Sequence, residues 1–66
     1  MITHKEMVEV YKERDYGLNA AEINQSVKDD REIIHFCGRK EVLKSKEAYH
    51  GWLDEMERLG GETEEN

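Results

Sequence analysis

The chain has a single cysteine among its 66 residues, one Trp and one Phe, and no apolar run near the roughly 20 residues needed to span a bilayer. Each absence excludes a class. Cys37 has no second cysteine to pair with inside the chain, so a small core must hold without a disulfide, as suits a reducing, cytoplasmic setting. The first residues lack the apolar segment of a secretory signal, and no membrane partner is expected. Basic charge is scarce at one end: residues 47–66 carry 1 positive and 7 negative side chains. There is no internal repeat, no linker and no second domain. We read residues 1–61 as one small domain and residues 62–66, ETEEN, as a disordered acidic tail.

Chemistry is lacking too. His4, His35, Cys37 and His50 match no zinc-ligand spacing, since only His35 and Cys37 lie close in sequence. Nothing near that pair would orient a base, and so short a chain encloses no substrate pocket. Gly38 and Gly60-Gly61 read as a turn and a helix stop rather than a phosphate-cradling loop. The expectation is a non-enzymatic protein with no catalytic residues, no metal, no cofactor and no small-molecule substrate.

What the chain does have is a strong stretch at residues 31–59. Tyr49, Trp52, Leu53, Met56 and Leu59 fall on one face of a 3.6-residue repeat, a core face. Ser45 is the N-cap of that helix, Glu47 sits favourably in its first turn, and Gly60-Gly61 is its expected stop. Gly51 inside it predicts close approach of another element.

Two more helix starts are written in local chemistry. Thr3 and Glu6 form a capping box with Ile2 and Met7 as the apolar staple, and Met7, Val8, Val10 and Tyr11 give the inward face of a helix ending near Asp15. Asn19 and Glu22 repeat the device, with Leu18 and Ile23 as staple, so a second helix begins at Ala20 with Ala20, Ile23 and Val27 inward. Two capped helices joined by a turn containing Gly17 outline a helix-turn-helix.

Residues 31–44 admit two readings. As strands, EIIHFC and EVLKS flank Gly38-Arg39-Lys40 as a hairpin, favoured because Gly38 interrupts a helix early and Ile33-Ile34 is β-branched. As a third helix, Asp29 or Asp30 caps and Ile33, Ile34, Phe36 and Cys37 turn inward. The hairpin gives an α-α-β-β-α order with a winged helix-turn-helix architecture. The alternative is an all-α helix-turn-helix bundle of three or four helices.

The net charge of −6 is unevenly spread. Residues 28–46 carry 6 positive and 4 negative side chains, which marks one basic surface on an acidic molecule. On the second helix, Asn24 and Gln25 can make paired hydrogen bonds to an adenine edge, and Ser26 can bond base or phosphate. Lys28, Arg31, Arg39, Lys40, Lys44 and Lys46 can neutralise phosphates on the flanks.

The order helix, helix, strand, Gly-tipped turn, strand, helix resembles the small winged helix-turn-helix proteins of the excisionase and MerR-like group. VEVYKERDYGLNAAEINQSV is similar to the opening of such domains, and IIHFCGRKEVLKSKEAYHGWLDEM to their wing and following helix. The resemblance implies major-groove contacts from Asn24, Gln25 and Lys28 and wing contacts from Arg39 and Lys40. It also implies a DNA-binding regulator or recombination directionality factor of a phage or mobile element. This sequence departs from the group in its acidity and in having only Lys28 positive along residues 20–28, so duplex DNA binding would need cooperativity or a protein partner.

A rival from another class is an acidic protein-binding inhibitor or adaptor, such as an anti-repressor or an antagonist of a host nucleic-acid enzyme. In that reading Asp54, Glu55 and Glu57 on the last helix engage a basic protein surface.

Overall fold

Thr3 starts the first helix as its sequence directs. Its hydroxyl accepts from the Glu6 amide and its own amide donates to the Glu6 carboxylate, which completes the box that begins α1, His4–Arg14. Asp15 ends that helix in the left-handed region, φ 52. Asn19 and Glu22 repeat the reciprocal pair at the start of α2, Ala20–Phe36. After a short 3-10 helix, Lys40–Leu43, the Ser45 hydroxyl accepts from the Ala48 amide and opens α3, Lys46–Glu65. The structure, a computed structural model, describes residues 1–59 in full and residues 60–65 by backbone alone. The tail expected to be disordered, residues 62–66, lies outside the fully described residues, while the bounds of α3 pass beyond Gly60-Gly61.

The winged reading does not survive. Among the described residues there is no strand, and the stretch taken for a hairpin is the last turn of α2 followed by the 3-10 helix. The physical reason is Gly38. It adopts φ 69, its amide donates to the His35 carbonyl at 3.1 Å, and the Arg39 amide donates to Ile34 at 3.0 Å. Those two bonds make the Schellman closure of a helix, which needs a left-handed residue at this place as a hairpin turn does. Helix is thus the correct state of Ile33–Phe36, although neither Asp29 nor Asp30 caps anything. Both lie inside one continuous α2.

Burial confirms the helical register. Val42 and Leu43, adjacent in sequence, are both inside, which a half-buried strand forbids and a tight helical turn allows. On α2 the inward residues are Ile23, Val27 and Ile34, with half-buried Asp30 between them in the same 4-3-4 spacing. Met7, Val10 and Tyr11 of α1 and Tyr49, Trp52 and Leu53 of α3 complete the core. Several expected positions turn outward instead. Ala20 is exposed, Phe36 is 93 % exposed, and Met56 and Leu59 lie half-exposed beyond the reach of the core.

Gly51 is also different from expectation, because a side chain there would meet open space. The two glycines therefore predict opposite outcomes. Gly51→Ala is expected to raise stability by about 0.5–1 kcal/mol through helix propensity. Gly38→Ala is expected to lower it by about 1–2 kcal/mol because a β-carbon is strained in the left-handed region. Urea denaturation of the two variants beside the wild type checks both signs, and a destabilised Gly51→Ala would overturn the reading of an open face.

Candidate functional site

The arrangement of the helices leaves a groove. α2 and α3 each pack on α1 and on the 3-10 helix and meet one another through the Tyr49 hydroxyl and Asp30, and beyond that contact a hollow lined by residues of both helices lies between them. An aromatic series crosses beneath it: Tyr16 meets Tyr11 edge-on, Tyr11 meets Tyr49, and Tyr49 stacks on Trp52 at 6.1 Å. Leu18, Ile33, Trp52 and Met56 supply the apolar wall of a hollow of about 340 Å³, and Asp30 and Glu57 supply its charge.

Asp30 is the feature that sequence reasoning missed. The Tyr11 hydroxyl donates to its Oδ2 at 2.5 Å and the Tyr49 hydroxyl to the same oxygen at 2.6 Å. Burial pushes the Asp30 carboxyl above its ordinary range, against the pull of the two hydroxyls, and neighbouring Asp29 adds to the rise. The phenols are pushed up as well, first by their own burial and then by the carboxylate. The available signal was an acid at an inward position of the α2 stripe. Its two partners lie 19 residues away on either side, so no local pattern announces them.

At the far rim Arg14 ties α1 to α3. Its guanidinium donates to Asp54, Glu57 and the His50 carbonyl. It also donates to His50 Nδ1, and His50 Nε2 lies 3.1 Å from Glu13. An arginine can only donate, so Nε2 is the nitrogen that carries the ring proton toward Glu13. Glu57 is held below the usual carboxylate range by the Tyr16 hydroxyl and then by Arg14. Asp54 and Glu57 nevertheless keep 61 % and 52 % of their side-chain surface open.

The residues expected to touch DNA are divided among three places. Asn24 pairs with His4 at 3.0 Å and Gln25 donates to Asp29. Ser26 is half-buried. Arg39 is engaged by Glu41 and Glu55, and Lys46 by Glu9 and Glu13 of α1. Arg39 and Lys40 stand at no wing tip, because the Schellman closure leads directly into the 3-10 helix. Lys28, Arg31, Lys40 and Lys44 are exposed and form no ion pair among the described residues. Lys28, Arg31 and His35 follow one flank of α2 by helical spacing, and a shallow hollow there also includes Glu32 and Phe36. Of the partner-binding set, Asp54 and Glu57 share Arg14 while Glu55 faces Arg39.

Among the described residues no three His, Cys, Asp or Glu side chains come together as a metal site. Nor is any helix there long and apolar enough to cross a membrane. The chain matches no family model, no curated protein and no solved structure.

Proposed function

We propose that this chain is a small, non-enzymatic, cytoplasmic protein-binding adaptor or inhibitor that engages a basic surface on its partner. The observation that carries this reading is the fate of the cations. Arg14, Arg39 and Lys46 are each held by two carboxylates of the chain itself, and the molecule keeps a net charge of −6. A surface neutralised in this way attracts phosphate poorly, whereas the half-open carboxylates of α3 can still accept from a partner's lysines and arginines. Exposed apolar side chains beside acids add to the case, since contiguous apolar surface on a small protein is a mark of a protein interface.

Carbodiimide cross-linking in cell extract, read by mass spectrometry, tests the proposal. The expected products join Asp54, Glu55 or Glu57 to lysines of one basic protein, and salt suppresses them as it screens the attraction. A second reading, duplex DNA along the Lys28–Arg31–His35 flank of α2, is favoured by Lys28 and Arg31, exposed and with no ion pair among the described residues. Salt-sensitive binding to a random duplex that weakens in Lys28→Ala/Arg31→Ala, without carboxylate cross-links, would replace the first reading with this one.

A further inference from the structure

Among the described residues the backbones of α2 and α3 make no close approach; the Tyr49 hydroxyl joins them at Asp30, and the hollow beside that bond lies between the two helices. The α3 side of the hollow is Trp52, Leu53 and Met56, with Trp52 and Met56 at i and i+4, about one helical turn apart. Met56 is 46 % exposed, and across the groove Ile33 and Leu18 are 44 % and 36 % exposed. A half-exposed apolar surface flanked by two helices fits another helix, because a fourth helix would extend the packing of the bundle over Ile33 and Met56.

The charge of the groove narrows the occupant. Its lining includes Asp30 and Glu57 and no lysine or arginine; Glu57 is already engaged by Arg14 and Tyr16, so Asp30 is the lining acid with no cation on it among the described residues. Both tyrosine hydroxyls converge on Oδ2 of Asp30, and Oδ1 accepts no hydrogen bond from the described residues. The carboxylate therefore retains acceptor capacity at the floor of an apolar trough, where a charged donor is worth more than at an open surface. A second copy of the chain would bring Asp30 no cation from this face, at a net charge of −6 on each molecule, so self-pairing through it is opposed.

We infer that the groove between α2 and α3 is the docking site for one amphipathic helix of a partner, whose apolar stripe covers Ile33, Trp52 and Met56 and whose single central lysine or arginine meets Asp30. This rests on the protein-binding reading above and gives that reading a site and a specificity element. Asp30 acts as the selector for a cation, and the apolar walls supply most of the contact.

The test is selection from a phage-displayed library of helical peptides, with the full chain as bait, followed by titration of the enriched peptides. Trp52 is the only Trp and lines the groove, so its fluorescence reports binding directly. Enriched sequences are expected to carry apolar residues at i, i+3 or i+4 and i+7 with one Lys or Arg among them. Asp30→Asn, which still accepts from both tyrosines, is expected to lose roughly tenfold in affinity for such a peptide, the scale of one charge-assisted hydrogen bond. The same variant should bind the peptide with its cation replaced by Gln as the wild type does. Ile33→Glu and Met56→Glu, at half-exposed positions, are expected to abolish binding while circular dichroism remains that of the wild type.

No enrichment, or binding that ignores Ile33→Glu and Met56→Glu, overturns the groove. Helices selected without preference for a cation overturn the role of Asp30. Basic peptides lacking an apolar stripe, bound at α3 with no change at Trp52, would leave the protein-binding reading standing and remove this site from it. A dimer in sedimentation that Ile33→Glu dissociates would assign the groove to a second copy and overturn the inference.

Discussion

Leu43→Ala is expected to remove about 2–5 kcal/mol of stability, the range for truncating a fully buried leucine. The total at risk is small: 66 residues at about 0.05–0.15 kcal/mol each give roughly 3–10 kcal/mol. The melting temperature should accordingly fall by roughly 10–40 °C, and where the loss exceeds the total the chain is unfolded at room temperature. Leu43 is 1 % exposed, and its carbonyl accepts the Ile2 amide at 2.8 Å, so the N-terminal segment is fastened to the residue whose side chain fills the core. The 3-10 helix that carries it touches both α2 and α3 and is fixed on one side by the Schellman closure and on the other by the Ser45 cap. Such a site relaxes poorly into a cavity. Met56→Ala, from a half-exposed position, should cost less than about 1 kcal/mol. Urea denaturation of the pair is the measurement. A Leu43→Ala cost comparable to that of Met56→Ala would mean that the 3-10 helix does not hold the core.

How much of this was legible in the sequence depends on how local the determining chemistry is. The starts of all three helices were readable, because Thr3 with Glu6, Asn19 with Glu22, and Ser45 each satisfy amides within the next three residues. The inward residues Met7, Val10 and Tyr11, and Tyr49, Trp52 and Leu53, followed from spacing alone. The stretch from Asp29 to Lys44 misled for identifiable reasons. Gly38 supplies a left-handed residue, and a hairpin turn and a Schellman closure both require one, so the residue could not choose between them. Ile33-Ile34 prefers strand by propensity, yet tertiary burial of Ile34 overrides that preference. Asp30 sits where the α2 stripe calls for an apolar residue, and its partners come from α1 and α3. The candidate site was less legible than the fold. Arg39 and Lys46 read as free cations because Glu55, Glu9 and Glu13 belong to other elements. Met56 reads as core by periodicity, and only the splay of α2 and α3 shows it as a groove wall.

Tyr49→Phe is expected to cost roughly 1.5–3 kcal/mol at neutral pH, the range for a hydrogen bond to a charged group. The ring is fully buried and stacked on Trp52, and Phe preserves that packing, so the loss isolates the hydroxyl. Asp30 then keeps only the Tyr11 donor. The pH dependence follows from the direction of the Asp30 shift. Burial raises its folded pKa above the ordinary value of 3.8, while the Tyr49 hydroxyl acts to lower it. Removing that hydroxyl raises the folded value further, so the variant's native state holds the Asp30 proton to higher pH. A group raised in this way contributes stability that is fully present below its unfolded pKa and is lost as pH rises through its folded pKa. The penalty of Tyr49→Phe is therefore small in acid and grows as pH rises through the Asp30 titration. Glu13 and Glu57 shift the other way and contribute stability that is lost as pH falls, but they are common to both proteins and cancel in the difference. Urea denaturation of wild type and Tyr49→Phe between about pH 4 and about pH 8 reads that difference directly. Repeating the comparison in an Asp30→Asn background should flatten it, because the acceptor no longer titrates. A penalty that stays constant with pH in the native background, or shrinks as pH rises, would show that the hydroxyl does not act on an ionised Asp30.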